Sequence, residues 1–275
     1  MKILGFGKFP YIKKQKIIKI KNDLVPLVML YYFFYNKKIM ATTIIKTNEF
    51  QIIEEERNGY YTIKLQEPND SLLLSFIKSG ILLGATISDH YQSITFRASK
   101  VENYQTHKKQ NQQQKQKYEK SIKLLYDFGR QIKYLITKEK KCFYRLNPEN
   151  LIIIDENKYI YVSTSELVDI QEEQEEGEQN SLTIYVPFTK NQFDSQEIKS
   201  IIQIPAKVHY KSIYYSLAKL IMFFLFEEEK EEKEEKEEKI INYLNNLNKI
   251  KGTKLFYTLE RCLQSDPNHR SLLFV

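Results

Sequence analysis

The stretch Cys142-Phe143-Tyr144-Arg145-Leu146-Asn147-Pro148-Glu149-Asn150 lies between a predicted helix and a predicted pair of strands. Its second half is rich in Asn and Pro, which favour turns because proline fixes φ and asparagine hydrogen-bonds to nearby backbone. Two β-forming runs follow, 151–154 and 159–162, with Asp155-Glu156-Asn157 between them. This pattern predicts a tight loop followed by a β-hairpin.

Three segments on either side of this loop predict helices. Apolar residues between 118 and 137 recur at steps of three and four, which indicates an amphipathic helix; they are Ile122, Leu125, Phe128, Ile132, Leu135 and Ile136. Residues 213–226 are apolar on every face, which indicates a helix buried in the core, and their unbroken apolar part is too short to cross a bilayer. A last helix carries Leu255, Leu259, Cys262 and Leu263 on one face.

Upstream, residues 47–105 predict short strands joined by turns, with a short helix at 72–78. The strand candidates are 60–65, which follows the turn signal Asn58-Gly59, then 81–83 and 93–96.

Three strongly polar segments interrupt these elements. Residues 106–117 are rich in Gln and Lys and predict a linker between two parts of the chain. Residues 171–178 are an acidic loop, and residues 227–239 contain nine Glu and four Lys. Glu and Lys four residues apart stabilise an exposed helix by about 0.2–0.5 kcal/mol per pair, so 227–239 predicts a solvated helical extension, with a docking tail as the alternative.

Four motifs in chain order resemble those of the protein-kinase-like superfamily. Its catalytic loop reads H-R-D-L-K-P-E-N, and this chain matches it at Leu146 and at Pro148-Glu149-Asn150. Ser195-Gln196-Glu197 is similar to the A-P-E triplet that closes the family's activation segment. Tyr215-Ser216-Leu217-Ala218 is similar to W-S-L-G of its central helix, and the chain from Arg261 to Arg270 is similar to the closing R-C-L-x-x-D-P-x-x-R.

The resemblance implies an α+β, two-lobed kinase-like fold. A reduced β-rich N-lobe would span 40–105, the linker 106–117, and a helical C-lobe 118–275. Pro148, Glu149 and Tyr215 would have structural roles. Glu197 and Arg270 would form a buried ion pair, because the closing arginine of the family pairs with the A-P-E glutamate.

The family's catalytic residues are largely replaced in this chain. Arg145 stands at the base aspartate, and a guanidinium stays protonated and accepts no proton. Phe143, Tyr144 and Asn147 replace the loop's His, Arg and Lys, and only Asn150 keeps its identity. The metal-binding D-F-G triplet falls on Ser163-Thr164-Ser165, whose neutral hydroxyls are poor ligands for Mg²⁺.

These replacements predict a catalytically inactive, pseudokinase-like protein that binds a protein partner and holds no cofactor or metal. The alternative is a divergent active kinase that binds ATP and Mg²⁺. It would hold the metal with Asn150 and either Glu166 or Asp169. The phosphates would lie against the leader, through Gly5-Phe6-Gly7 and either Lys19 or Lys21.

Residues 1–39 differ in composition from the rest of the chain. They contain nine lysines and one acidic residue, a charge of +8, which leaves about −1 of the total +7 for residues 40–275. The apolar run 24–35 is shorter than the roughly 20 residues that span a bilayer. Three interpretations stay open: an upstream extension with Met40 as the true start, a packed or peripheral element, and a membrane anchor, which would make the chain a membrane-attached interaction protein through residues 24–35.

The remaining composition limits the function classes. Without the leader the chain is nearly neutral, so nucleic-acid binding is not predicted. Cys142 and Cys262 are too few for a disulfide framework and lack zinc-site spacing, which favours a reducing, intracellular location.

Lys, Ile, Asn and Tyr, all with AT-rich codons, are abundant. With the degenerate motifs, this composition resembles kinase-like proteins of giant nucleocytoplasmic DNA viruses, which implies the host cytoplasm or the virion.

Overall fold

The computed structural model describes residues 41–57, 59–104, 114–171, 180–226 and 245–273. The chain divides into two compact units, Met1–Ala41 and Thr42–Val275, and all described helices and strands belong to the second. The second unit is a mixed α+β structure with antiparallel sheets. Several predictions lie wholly or mostly outside the described residues: the leader 1–39, the linker 106–117, and the inserts 171–178 and 227–239.

The first part of the unit is a five-stranded antiparallel sheet in the order β1-β2-β3-β5-β4. Its strands are β1 (Thr42–Lys46), β2 (Phe50–Glu54), β3 (Tyr60–Leu65), β4 (Thr86–Ile87) and β5 (Ser93–Arg97), and helix α1 (Asp70–Lys78) follows β3. The predicted strands at 60–65 and 93–96 and the short helix at 72–78 are confirmed. The Asn69 side chain caps α1 by accepting a hydrogen bond from Leu72 N at 2.9 Å.

The predicted strand at 81–83 is wrong. These residues form the turn that ends α1, where Gly80 takes a positive φ of 76° and Leu82 N–H donates to Phe76 O. Ile81 and Leu82 are buried in the core. Their apolar character therefore reflects burial at a helix end, and the strand begins only at Thr86.

The second part combines helices with two smaller antiparallel sheets, ordered β6-β8-β9 and β12-β11-β10-β7. Its strands are β6 (Val101–Asn103), β7 (Lys141–Phe143), β8 (Leu151–Ile154), β9 (Lys158–Tyr161), β10 (Leu167–Gln171), β11 (Ser181–Ile184) and β12 (Ala206–His209). Its helices are α2 (Gln114–Tyr134), extended by a π-helical turn (Leu135–Glu139), then α3 (Gln196–Ser200), α4 (Ser212–Phe226) and α5 (Lys254–Cys262). Short 3₁₀ turns lie at Pro148–Asn150 and Pro267–His269.

The β8–β9 hairpin is fixed to α2 by buried polar groups. Gln131 donates to Tyr161 O at 2.9 Å and accepts from Tyr161 N at 3.0 Å, so its amide satisfies both backbone groups of that residue. Asp127, one turn earlier, accepts from Tyr159 N at 3.2 Å. Because a buried backbone group without a partner is costly, these contacts hold β9 in one position along the helix.

The buried face of α2 is slightly rotated from the predicted one. Ile122 is 42% exposed, whereas Leu124, Phe128 and Ile132 are fully buried at steps of four. The predicted helices at 213–226 and near the C-terminus are confirmed as α4 and α5. Cys142 and Cys262 are both buried and unbridged.

Glu197 and Arg270 form the ion pair that the family resemblance implies. Arg270 Nη1 lies 2.5 Å from Glu197 Oε1, and Nη2 lies 3.0 Å from Oε2, a bidentate geometry. Arg270 is fully buried and also donates to the carbonyls of Gln264 and Ser265. Its guanidinium lies 5.2 Å from the Tyr215 ring centre. The pair thus connects α3, α4 and the closing 3₁₀ turn.

Glu197→Ala is expected to lower the free energy of unfolding by about 3–5 kcal/mol, because it leaves the buried Arg270 without its carboxylate. The lower end of this range is expected, since the Glu197 side chain is 22% exposed. Urea denaturation at pH 7 measures the change. Glu260→Ala, at an exposed position of α5, is the control and should change the value by less than about 0.5 kcal/mol. Equal values for the two variants would contradict the role assigned to the pair.

Candidate functional site

The loop 144–150 and the segment 163–166 lie side by side because their flanking strands pair. In the ladder between β7 and β10, Phe143 is opposite Leu167. Tyr144 N–H then donates to Glu166 O at 3.1 Å, which extends the pairing into both loops. The Tyr144 carbonyl accepts from Ser212 Oγ at 3.0 Å, so the first residue of α4 also supports the loop.

Arg145 is a buried cation between two buried carboxylates. Its Nε lies 3.3 Å from Asp194 Oδ1 and 3.6 Å from Glu166 Oε1, and its guanidinium carbon lies 4.8 Å from the Phe188 ring centre. We call Arg145, Glu166 and Asp194 the Arg145 cluster. Arg145 is 5% exposed and Asp194 is fully buried, so the charges compensate one another away from water.

Asp194 is held by the backbone on its other side. Its Oδ2 accepts from Asn191 N at 2.7 Å, and the Asn191 side chain donates to Leu146 O at 2.7 Å. Burial raises the pKa of Asp194, while the Asn191 hydrogen bond and the Arg145 charge oppose that rise. The 191–194 turn therefore holds the Arg145 loop through Asp194 and through the hydrogen bond from Asn191 to Leu146.

The Tyr161 hydroxyl links the loop 144–150 to Glu166. Its hydroxyl accepts from Asn147 N at 2.7 Å and donates to Glu166 Oε2 in a very short contact. The Asn150 side chain, 5% exposed, also hydrogen-bonds to this tyrosine. The ring packs edge-on against Phe143 with centres 4.9 Å apart. Burial and the Glu166 charge raise the Tyr161 pKa, so the phenol stays protonated.

The side chains at the other sequence-predicted loop positions stabilise the turn. Asn147 Oδ1 accepts from Glu149 N at 3.2 Å, and Pro148 begins the 3₁₀ turn that this cap starts. Phe143 is fully buried, and Tyr144 is 4% exposed. The structure therefore brings all of the predicted loop residues together, in a packed arrangement of aromatic and capping groups.

Glu166 is a buried carboxylate with a raised pKa. Burial raises the pKa to about 7, against the hydrogen bond from Tyr161 and the Arg145 charge, which lower it. Of the two carboxylates proposed as substitute metal ligands, only Glu166 belongs to the cluster. Asp169 is exposed on β10, opposite Lys141 in the ladder. Among the described residues, no group of three or more His, Cys, Asp or Glu side chains is arranged to hold a metal ion.

A contact that the sequence did not predict joins the first sheet to the segment 163–165. Glu49, in the turn between β1 and β2, accepts from Thr164 N at 2.6 Å and from Ser165 N at 3.0 Å. All three hydroxyls also donate to it: Ser163 Oγ at 3.0 Å, Thr164 Oγ1 at 3.1 Å and Ser165 Oγ at 2.8 Å. We call these interactions the Glu49 contact. Burial acts to raise the pKa of Glu49, but the hydrogen bonds from Ser165, Thr164 and Ser163 outweigh it and the pKa is lowered.

The turn that carries Glu49 is itself stabilised by a side chain. Thr47 Oγ1 accepts from Glu49 N at 3.2 Å and from Phe50 N at 3.0 Å, so the Thr47 side chain stabilises the three-residue turn between β1 and β2. No sequence motif marked Glu49, because its partners lie more than a hundred residues later in the chain. The leader residues Gly5, Gly7, Lys19 and Lys21 lie outside the described part of the chain.

Comparison with known proteins does not assign the chain to a family. No protein-family model matches the chain, and no curated protein sequence matches it. For the described residues, no helix is long and apolar enough to cross a membrane, and the run 24–35 is not among them.

Two variants distinguish the contributions of the cation and of one carboxylate in the Arg145 cluster to stability. Arg145→Met leaves two buried carboxylates without their cation and is expected to lower the free energy of unfolding by about 3–5 kcal/mol. Glu166→Gln leaves one cation with one carboxylate and keeps an acceptor for Tyr161, so we expect a much smaller change at pH 8. Urea denaturation of both variants measures the difference. A loss from Glu166→Gln as large as that from Arg145→Met would contradict this account.

The raised pKa of Glu166 predicts that the free energy of unfolding depends on pH. The pKa of Glu166 is about 7 in the folded state and near 4.5 in the unfolded state, so between these values the folded state holds an extra proton. The contribution of this group to stability therefore falls as pH rises from about 4.5 to about 7. Glu166→Gln should flatten the stability profile across that interval, as measured by urea midpoints at several pH values. An unchanged slope would show that other groups dominate.

Proposed function

We propose that the chain is a catalytically inactive, kinase-like protein that acts as a protein-binding or regulatory scaffold in the cell. The proposal rests on the buried, charge-compensated guanidinium of Arg145. This residue stands at the position of the catalytic base in the family that the chain resembles. Its guanidinium is buried and charge-compensated by Glu166 and Asp194. A cation held in this way accepts no proton from a substrate hydroxyl.

Two features support the kinase-like part of the proposal. The order of elements agrees with the resemblance: a β-rich first part, a long helix, the loop, a hairpin and a buried helix. The bidentate Glu197–Arg270 pair connects two motifs that were identified separately in the sequence. Since fold alone does not set function, the inactive state is argued from the site residues.

The groups at the expected metal position do not suit Mg²⁺. The metal would need anionic oxygen from the segment 163–165, but that segment presents two amide N–H groups and three hydroxyl donors to the two oxygens of the Glu49 carboxylate. An N–H group cannot coordinate a cation. The divergent-kinase alternative would use Asn150 with either Glu166, which would have to leave the Arg145 cluster, or Asp169, which is exposed on β10.

Thermal unfolding of the full chain with millimolar ATP, with and without Mg²⁺, tests the proposal. A ligand at about 100 times its Kd adds about 2.7 kcal/mol of stability, which is a shift of about 5–10 °C for a chain of this size. We expect no Mg²⁺-dependent shift for the wild-type chain, and an active protein kinase serves as the positive control. A shift that requires Mg²⁺, together with phosphoryl transfer to a generic protein substrate, would overturn the inactive assignment.

A further inference from the structure

We propose that Ser163, Thr164 and Ser165 form an oxyanion-binding site for a carboxylate or phosphate group, and that Glu49 is its intramolecular occupant. This inference does not depend on the proposed function. It assigns to the segment a ligand of opposite charge to the metal ion that the kinase resemblance would imply. External oxyanions then enter the site only when the turn carrying Glu49 withdraws.

The donor geometry is that of an anion site. Thr164 N–H and Ser165 N–H both point at Glu49 Oε2, at 2.6 and 3.0 Å. Successive backbone N–H groups that converge in this way form a concave nest with a fixed positive partial charge. The hydroxyls complete it, because Ser165 Oγ donates to Oε1 at 2.8 Å and Ser163 Oγ is within 3.2 Å of both oxygens.

The bound carboxylate is direct evidence that the site accepts an oxyanion. Glu49 comes from a different sheet and lies 114–116 residues away in the chain, so the contact does not arise from local turn geometry. The pKa of Glu49 is lowered even though burial acts to raise it, which agrees with donors that favour the charged form.

The site is partly organised without Glu49. Ser163 Oγ also accepts from Glu166 N at 3.3 Å, and Ser163 is fully buried, so its hydroxyl is held from within the segment. Ser165 is exposed and Thr164 is half-buried, which leaves an outer side open to solvent once Glu49 is removed.

The surrounding charge limits how tightly an external anion binds. The nearby carboxylate of Glu166 repels a second anion, although Arg145 compensates part of its charge. Glu49 competes at the high effective concentration of an intramolecular group. We therefore expect the wild-type chain to respond weakly to free oxyanions and a chain without Glu49 to respond strongly.

The test compares the full chain with Glu49→Ala and with Glu67→Ala, which removes an equal charge at an exposed position after β3. Thermal unfolding is followed with sodium phosphate, sodium acetate or sodium chloride at matched ionic strength. We expect Glu49→Ala to unfold at a lower temperature than the other two chains. Phosphate and acetate, but not chloride, should restore it by about 3–5 °C at about ten times their Kd.

Two further variants make the result specific. In the Glu49→Ala background, Ser165→Ala removes one hydroxyl donor and should weaken the oxyanion response. If Glu49→Ala does not fold, Glu49→Ser is used, because its short side chain also empties the site and removes the charge. The same oxyanion response in wild type, Glu67→Ala and the Glu49 variant, or no response in a folded Glu49 variant, would overturn the inference. Mg²⁺-dependent ATP binding together with phosphoryl transfer by the wild-type chain would overturn only the proposed function.

Discussion

The hydrogen bonds of Tyr161 connect the core of the second part of the molecule to its candidate site. Its backbone exchanges two hydrogen bonds with Gln131 of α2, and its hydroxyl joins Asn147 of the loop to Glu166 of the neighbouring segment. Tyr161 is fully buried, so each of these groups depends on the others for a partner. The long helix thereby determines where the loop lies, and the loop determines where Arg145 lies.

The charge of the site follows from that placement. A loop held against β10 and the 191–194 turn brings Arg145 within 3.6 Å of two carboxylates. Buried ion pairs add little net stability but strongly disfavour any state in which one partner is missing. The Arg145 cluster therefore makes the present arrangement specific.

The sequence predicted most of the secondary-structure elements, because their residue patterns are local. It missed the contacts between residues that are far apart in the chain. The hairpin after Asn150 and the buried helix α4 are visible from residue type and periodicity. The Glu197–Arg270 pair was predictable from the kinase resemblance, although 73 residues separate its members. Neither Glu49 nor Asp194 carries a local pattern, because their partners are set by how two separate segments dock. Within the run 81–83, Ile81 and Leu82 were assigned to a strand wrongly, because an apolar residue can be buried in a helix-ending turn as well as in a strand.

The two buried thiols lie beside the two ion-pair centres described above. Cys142 precedes Arg145 by three residues, and Cys262 lies in α5, where its Sγ contacts the carbonyl of Ser271 next to Arg270. Burial raises the pKa of Cys142 and raises that of Cys262 to about 12, so both remain unreactive thiols in the folded state. Because only the thiolate reacts with electrophiles, modification of either cysteine requires its region to open. The alkylation rate of Cys142 therefore measures local opening near the Arg145 cluster, and that of Cys262 measures opening near the Glu197–Arg270 pair.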